Sequence, residues 1–390
     1  MTKIILKKGR HDRILSGHPW VYGNEIESVK GDVQPGDIVE VFDSKNYFIG
    51  KGYYNSKSQI TVRLLTKNKA EDIDESFFRR RLEACFEYRK KIGYHSNYRL
   101  VFGEADFLPG LVIDKFGDYF VLQTLSLGMD RWKETIATIL QDMFSPKGIY
   151  ERNDVPVRKL EGLNEEKKFL SSPFPTQFEM DEDGVKFLID VENGQKTGFF
   201  LDQKENRRAL QHIAAGAEVL DCFCYTGSFS LFASKFGAKK VLGLDISETA
   251  VEQAKKNAAL NGFEQTCEFQ AANAFDLLPL WVREKRLFDI VILDPPAFTK
   301  NRAGIDAAAR GYKEINLRAM KIIRPGGFLL TFSCSHFMEP GLFFDMIAKA
   351  AVDAGKNIRQ VSFLSQSKDH PISWNIEETN YLKGFLLQVQ

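Results

Sequence analysis

The sequence lacks the long hydrophobic runs and the cysteine density that mark membrane and secreted proteins. No apolar stretch approaches the roughly 18–20 residues that a membrane-spanning helix requires. The opening MTKIILKKGR is basic and unlike a signal peptide. The five cysteines of the 390-residue chain are odd in number and scattered, which argues against a disulfide framework. We therefore expect a cytoplasmic protein with no membrane partner.

Two ligand-binding motifs are also missing. Cys222 and Cys224 form a C-x-C pair without a second pair to complete a zinc site, so we expect no metal. The G-x-G-x-x-G fingerprint of dinucleotide-binding folds is absent, which disfavours a nicotinamide-dependent dehydrogenase.

The chain has little net charge, but its charges are unevenly distributed. A formal net charge of +1 gives no global signal for a nucleic-acid partner. Residues 1–100 contain 19 Lys and Arg against 13 Asp and Glu, so the rest of the chain is net acidic. A basic N-terminal part is compatible with contacts to phosphates, although a solvated basic face would give the same count.

The length exceeds that of one ordinary hydrophobic core, so we expect several domains. Residues 1–75 contain short strands and Gly-rich turns, typical of a small β-barrel. Residues 76–175 combine helical and strand patterns and predict a middle α/β domain. Residues 176–193 predict a linking β-hairpin with Asp183-Gly184 as its turn.

Residues 194–390 have the alternating pattern of an α/β domain. Apolar segments that predict strands lie at residues 218–224, 240–246, 267–273, 288–294 and 326–334, with helical stretches between them. Strands and helices that alternate at this spacing predict a parallel, doubly wound, Rossmann-like sheet. We expect its ligand beyond the carboxyl ends of the strands.

The first three strand ends carry residues suited to S-adenosylmethionine. This ligand has no diphosphate, so a single turn glycine, Gly227, suffices for close approach, and Asp221 can bind the ammonium group. Asp245 can bind both ribose hydroxyls, and Asn273 can meet the adenine edge. Either aspartate alone could be a helix cap, but their recurrence at successive strand ends favours a cofactor site. The predicted set is Asp221, Phe223, Tyr225, Thr226, Gly227, Asp245, Ile246, Asn273 and Ala274.

The fourth predicted strand ends in the motif Asp294-Pro295-Pro296-Ala297-Phe298. Two prolines remove backbone donors and leave carbonyl groups that can face a planar base. Phe298 can stack on that base, and Asp294 can hydrogen-bond its amino and ring nitrogens. The motif by itself is equally consistent with methylation of an amino nitrogen.

The fifth predicted strand ends in Ser333-Cys334-Ser335. Carbon-5 of cytosine is not nucleophilic, and a thiolate that adds to carbon-6 turns it into an enamine able to accept a methyl group. Most free cysteines are simply buried, but the strand-end position and the polar neighbours favour Cys334 as a nucleophile. We expect the other four cysteines to be structural.

Together these motifs resemble the type I class of bacterial large-subunit ribosomal RNA cytosine-5 methyltransferases. The resemblance rests on DCFCYTG (221–227), GLDIS (243–247), DPPAF (294–298), RGYKEIN (310–316) and FSCS (332–335), with GQKTGFFLDQ (194–203) upstream and DHP (369–371) downstream. Near the N-terminus, GHPWVYGNEI (17–26) and GKGYYNSKSQITVRLL (50–65) are similar to that family's PUA domain, a small RNA-binding barrel.

The resemblance implies a PUA-like domain, a middle α/β domain and a Rossmann-like methyltransferase domain that uses S-adenosylmethionine on ribosomal RNA. It implies that Cys334 is the nucleophile, that Asp294 holds the cytosine, and that Gln203 and Arg207 lie near the cofactor. A homodimer is compatible with it.

Two positions depart from related enzymes. Asn273 stands where such enzymes usually carry an acidic residue. Ala297 stands where many RNA cytosine-5 methyltransferases, though not the type I class, carry a second cysteine. The base that deprotonates carbon-5 is therefore not identified, and we expect His336 to be a turn residue rather than that base.

Three functions remain open at the level of sequence. The first is cytosine-5 methylation through Cys334. The second is methylation of a purine nitrogen in RNA, which needs no thiol. The third is a non-catalytic RNA-binding or ribosome assembly factor that retains a cofactor pocket.

Overall fold

The computed structural model describes residues 1–299 and 301–390, which form two compact units. The first unit comprises Met1–Phe178, Ile189–Leu201 and Lys368–Thr379, and the second comprises Glu179–Leu188, Asp202–Ser367 and Asn380–Gln390. Within the described ranges, no helix is both long and apolar enough to cross a membrane. Our division of the chain at residues 75, 175 and 193 stays a prediction.

The N-terminal part of the first unit is a six-stranded sheet in the order β2-β6-β5-β4-β1-β3. Its elements are β1 (Lys3–Leu6), α1 (Asp12–Leu15), β2 (Trp20–Tyr22), β3 (Ile26–Lys30), β4 (Ile38–Phe42), β5 (Phe48–Tyr54) and β6 (Ile60–Thr66). Strands β5 and β6 run so close together that a Cβ on Gly52 would lie 2.0 Å from the Arg63 carbonyl oxygen. Only glycine fits there, which explains the glycines of this strand.

A second sheet of the first unit has five strands in the order β11-β10-β9-β8-β7. Its elements are α2 (Glu75–Lys91), β7 (Asn97–Phe102), β8 (Leu111–Phe116), β9 (Tyr119–Thr124), α3 (Leu127–Arg131), α4 (Lys133–Phe144), β10 (Gly148–Arg152) and β11 (Lys167–Phe169). Asp74 caps α2 by accepting a hydrogen bond from the Phe77 amide at 2.9 Å. The helix then buries Phe77, Phe78 and Leu82 in the core beneath the sheet.

A hairpin of β12 (Gln177–Glu182) and β13 (Val185–Asp190) follows. Its two turn residues, Asp183 and Gly184, both have positive φ, 53° and 77°. This is the conformation of the tight two-residue hairpin turn that Asp-Gly favours.

The second unit is built on a seven-stranded sheet in the order β16-β15-β14-β17-β18-β20-β19. Its strands are β14 (Glu218–Cys222), β15 (Lys240–Asp245), β16 (Cys267–Ala271), β17 (Phe288–Leu293), β18 (Ile323–Ser333), β19 (Ile358–Ser365) and β20 (Lys383–Val389). Its helices are α5 (Lys204–Arg208), α6 (Ser228–Lys235), α7 (Glu248–Leu260), α8 (Ala274–Glu284), α9 (Ile305–Lys321) and α10 (Pro340–Ala354).

The topology of this sheet confirms the predicted doubly wound fold. Strands β14 to β18 pair in parallel, whereas β20 runs antiparallel to both of its neighbours, β18 and β19. From β14 the chain moves outward to β15 and β16, and it then returns to place β17 on the other side of β14. Ligands of such sheets bind where the strand order reverses, at the carboxyl ends of the strands.

Candidate active site

The carboxyl edge of the seven-stranded sheet collects most of the predicted site residues. Since β14, β15, β16 and β17 are parallel neighbours, their carboxyl ends lie along one edge. Asp221, Asp245, Asn273 and Asp294 lie at or just after these ends. The sequence therefore predicted a set of residues that the fold does place together.

Asp221 is almost completely buried, and its two carboxylate oxygens differ. Oδ2 accepts hydrogen bonds from the Ser230 amide at 3.0 Å and the Ser230 hydroxyl at 2.6 Å. Oδ1 is buried without a hydrogen-bond partner among the described residues. Burial raises the pKa of Asp221 to about 7; the Ser230 hydrogen bonds oppose this rise, and the charges of Asp294 and Asp245 add to it. An unpartnered buried oxygen is costly, and a cationic ligand group would satisfy it.

The turn between β14 and α6 has an unusual backbone. Phe223, Tyr225 and Gly227 have positive φ values of 65°, 49° and 84°. A Cβ on Gly227 would meet the Phe269 ring at 3.0 Å, so this position combines a left-handed conformation with a close approach. Thr226 lies between them, and its carbonyl accepts a hydrogen bond from the Asn257 side chain. Such backbone conformations are concentrated at ligand-binding turns.

Asp245 holds this turn in place. Its Oδ2 accepts a hydrogen bond from the Tyr225 amide and its Oδ1 accepts one from the Ser247 amide, each at 2.9 Å. The next residue, Ile246, is 76% exposed, so an apolar side chain stands open to a ligand. Both carboxylate oxygens retain lone pairs that could accept from ribose hydroxyls.

The predicted residues after β16 have mixed surroundings. The Asn273 Oδ1 caps α8 by accepting from the Phe275 amide at 3.0 Å, which leaves its amide NH2 group for a ligand. Ala274 is buried in the core of the second unit. The cofactor roles of both residues stay predictions.

Gln203 connects the segment before α5 to the end of β17. Its Nε2 donates to Asp294 Oδ1 at 2.9 Å, and its Oε1 accepts from the Asn206 side chain at 2.6 Å. These two hydrogen bonds together fix the orientation of the Asp294 carboxylate. Asn206 was not predicted from the sequence, although it lies only three residues after Gln203.

Arg207, which the resemblance places near the cofactor, is fully buried against Glu182. Its Nε donates to Glu182 Oε1 at 2.8 Å, and the same oxygen accepts from a terminal guanidinium nitrogen. This ion pair connects α5 to β12 of the hairpin, which is a structural task. A cofactor contact by Arg207 stays a prediction.

The proline motif after β17 faces the nucleophile candidate. Pro295 is buried, and its carbonyl oxygen lies 3.8 Å from the Cys334 Sγ, while Pro296 is exposed. Phe298 is half-buried, and its ring centroid lies 4.4 Å from that of Tyr312. One side of the Phe298 ring is therefore already packed, which leaves stacking on a base to the other side.

Cys334 differs from the other cysteines in its accessibility. Cys85, Cys222, Cys224 and Cys267 are buried, whereas Cys334 is partly exposed at the end of β18. Burial raises the pKa of each of the four buried thiols. Of the five thiols, only Cys334 lies both at the carboxyl edge of the sheet and within reach of solvent.

Two residues beside Cys334 were not anticipated from the sequence. The Tyr312 hydroxyl accepts a hydrogen bond from Ser333 Oγ at 3.0 Å and lies 3.1 Å from Ser335 Oγ. The Lys383 ammonium donates to the carbonyl oxygens of Ser335 and Met338. Tyr312 belongs to the RGYKEIN motif, so the sequence could have indicated that it lies near the site. No motif in the sequence around Lys383 indicates the same for that residue.

The residues at this edge fit S-adenosylmethionine. Asp221 presents a buried, unpartnered carboxylate oxygen for an ammonium group, and Gly227 leaves the space that a Cβ would fill. Asp245 and Asn273 follow on the next two strands, at the spacing expected for ribose and base. No second or third glycine is present in this turn for a diphosphate.

Comparison with known proteins agrees with this geometry. Residues 164–386 match the family described as S-adenosylmethionine-dependent methyltransferase, and residues 4–67 match a PUA-like domain. The fold and the site thus define an S-adenosylmethionine-dependent methyltransferase with an N-terminal PUA-like β domain.

Full-length relatives narrow the family. The chain is 42% identical over 392 residues to ribosomal RNA large subunit methyltransferase I of Pseudoalteromonas atlantica, which covers 100% of this chain and 99% of that protein. It is 42% identical to the protein of the same name from Aeromonas salmonicida, over 99% of both chains. The chain belongs to the family of the large subunit methyltransferases I.

Solved structures share the fold over the whole length. A methyltransferase crystallised with SAH superposes with a TM-score of 0.85 at 20% identity, over 100% of both chains. A SAM-dependent methyltransferase from Streptococcus mutans gives a TM-score of 0.83 at 20% identity, also over 100% of both chains.

Proposed function

We propose that this chain methylates carbon-5 of a cytosine in large-subunit ribosomal RNA, with Cys334 as the nucleophile. The relatives' name supports the RNA substrate. The position of Cys334 supports the reaction, because it is the one partly exposed thiol among the described residues and lies beside the Pro295 carbonyl. Methylation at nitrogen would give no role to a thiol in this place.

The chemistry follows from the residues around Cys334. S-adenosylmethionine supplies an electrophilic methyl group when bound. The Cys334 thiolate adds to carbon-6 of the cytosine, and the electron pair of the ring double bond becomes available at carbon-5, which takes the methyl group. Loss of the carbon-5 proton to a base and cleavage of the bond between sulfur and carbon-6 then restore the ring and the thiolate.

Asp294 is proposed to hold the cytosine edge during this sequence. A carboxylate held by Gln203 through Oδ1 can present its edge to the amino group of cytosine and, once protonated, to the ring nitrogen. Hydrogen bonding to the ring nitrogen withdraws electrons and favours addition at carbon-6. Pro295 and Phe298 are proposed to line the space that the cytosine would occupy.

The remaining parts of the chain complete the proposal. Residues 1–75 are proposed to be an RNA-binding PUA-like domain, 76–175 a middle domain, 176–193 a linker and 194–390 the methyltransferase domain. A cytoplasmic location and a homodimer stay predictions.

The test is nucleoside mass spectrometry of ribosomal RNA incubated with isotope-labelled S-adenosylmethionine. Wild type should produce labelled 5-methylcytosine. Cys334→Ala should lower its formation at least 1,000-fold, because covalent addition to carbon-6 is lost. Cys85→Ala in the first unit is the matched control and should stay within about twofold of wild type.

The same experiment separates the alternatives. A labelled purine that persists in Cys334→Ala would contradict the proposal and establish nitrogen methylation. Binding of S-adenosylmethionine without transfer to any ribosomal RNA would favour a non-catalytic assembly factor.

A further inference from the structure

Lys383 is a buried cation beside the nucleophile candidate. It begins β20 and is only 2% exposed. In the antiparallel register Lys383 pairs with Ser333 of β18 on one side and with Ser365 of β19 on the other. Lysines are almost never fully buried without a reason, because removing an ammonium group from water is costly.

The hydrogen bonds of Lys383 only partly explain its burial. Nζ donates to the Ser335 carbonyl at 2.8 Å and to the Met338 carbonyl at 2.7 Å. These two bonds fix the loop that follows Cys334. Among the described residues, no carboxylate within ion-pair distance balances the Lys383 charge.

Cys334 lies next to this ammonium group, because Lys383 pairs with Ser333 and its Nζ donates to the Ser335 carbonyl, the residues on either side of Cys334. Burial lowers the pKa of Lys383 to about 8, and the one charge that raises it belongs to the Cys334 sulfur. An attraction between two titrating groups acts on both of them, so a cation that is favoured by a thiolate also favours that thiolate.

We propose that the Lys383 ammonium is the counter-ion of the Cys334 thiolate and keeps the nucleophile ionised near neutral pH. The inference rests on the proposed function only in taking Cys334 as the nucleophile. In this step the S–H bond of Cys334 breaks, its proton passes to solvent, and the sulfur keeps the electron pair opposite the ammonium group. Lys383 is thus a positioning residue that acts through Cys334.

Other titratable groups surround the Lys383–Cys334 pair and could also affect the ionisation of Cys334. Tyr312 of α9 lies behind Ser333 and Ser335, and burial raises its pKa, so it stays neutral. Asp294 follows β17 beside Pro295, and His336 is an exposed residue of the loop. Tyr381, whose hydroxyl donates a hydrogen bond to Asp202, lies two residues before Lys383.

The test measures thiol ionisation directly. The full-length protein is treated with iodoacetamide between pH 5.5 and 9.5, and alkylation of Cys334 is followed by peptide mass spectrometry. Wild type should react at least tenfold faster at pH 7 than Lys383→Gln, because the amide keeps a donor for the loop carbonyls but has no charge. Lys383→Arg should stay within about threefold of wild type.

The four buried cysteines serve as internal controls for folding, because they stay unreactive as long as the core is intact. Equal rates and equal pH midpoints in wild type and Lys383→Gln would overturn the inference. The inference would also be overturned if the pH midpoint of Cys334 alkylation in Lys383→Arg equalled that of a free cysteine peptide. This second comparison keeps the test valid if the glutamine variant does not fold.

Failure of the proposed function would look different. Wild type would then form no 5-methylcytosine, while the dependence of Cys334 alkylation on Lys383 would persist and support the ion pair. If the wild type does form 5-methylcytosine but the pH dependence of Cys334 alkylation is the same with and without Lys383, only the ion pair would be overturned.

Discussion

Asp221 shows how burial shapes one residue of the proposed cofactor site. Its carboxyl group is buried in an apolar strand end, held on one oxygen by Ser230 and left without a partner on the other. Burial raises its pKa to about 7. Between about pH 4 and 7 the folded chain therefore binds more protons than the unfolded chain, so this group makes stability fall as pH rises through that window.

At the residue scale we expect the affinity for S-adenosylhomocysteine to depend on pH. The proposed contact with the ligand's ammonium group needs an ionised Asp221, so affinity should rise about tenfold between pH 5.5 and 7. Asp221→Asn should bind weakly and lose this dependence, as isothermal titration calorimetry would show. Asp245→Asn is the matched control, and we expect lower affinity with the wild-type slope because Asp221 still titrates. A pH-independent wild type would contradict the contact.

At the scale of elements, a buried ion pair joins the hairpin to the α/β part of the second unit. Arg207 of α5 and Glu182 of β12 both have fully buried side chains, and the guanidinium also lies 5.7 Å from the Phe232 ring. Glu182 Oε2 has no hydrogen-bond partner among the described residues. Burying the pair therefore carries a desolvation penalty, but burying either charge without its partner would destabilise the fold more.

We expect Arg207→Met to destabilise the protein by about 3–5 kcal/mol, because it leaves Glu182 buried and unpaired. The double variant Arg207→Met/Glu182→Leu should recover part of that loss, and denaturant unfolding measures both. Ligand affinity, measured on the fraction that stays folded, should change little. A large loss of S-adenosylhomocysteine binding with unchanged stability would instead support the cofactor role that the resemblance implied for Arg207.

At the scale of the whole molecule, the chain crosses between its two units several times. The segment Lys368–Thr379 belongs to the first unit although residues on both sides of it belong to the second. Asp369 anchors it, because its Oδ2 accepts from the Arg99 amide at 2.8 Å and its carbonyl accepts from Arg89 at 2.7 Å. The DHP motif therefore has a structural task in the first unit.

Asp369→Ala should lower the free energy of unfolding by about 1–3 kcal/mol, since it leaves a buried backbone amide without a partner. Thermal unfolding of the full-length protein would show a lower midpoint for the transition of the first unit. The exposed Asp32→Ala provides the control and should be neutral. No change in Asp369→Ala would mean that the Arg99 amide finds another acceptor.

Sequence alone determined what depends on local periodicity and on strand ends. Alternating strand and helix patterns predicted the doubly wound sheet, and parallel strands force their carboxyl ends to one edge, so Asp221, Asp245 and Asp294 could be grouped without coordinates. The sequence also placed Gly227 in the turn after the first strand, but the close approach that the structure shows there is to the Phe269 ring, and an approach of the cofactor stays a prediction.

Only the tertiary structure decided which distant residues meet. Lys383 lies 48 residues after Ser335, and the antiparallel insertion of β20 between β18 and β19 brings them together. The hydrogen bond from Gln203 to Asp294 spans 91 residues. The burial of Arg207 against Glu182 depends on how the hairpin packs on α5. Strand insertion and packing of this kind are set by the whole core, so they leave no local signal in the sequence.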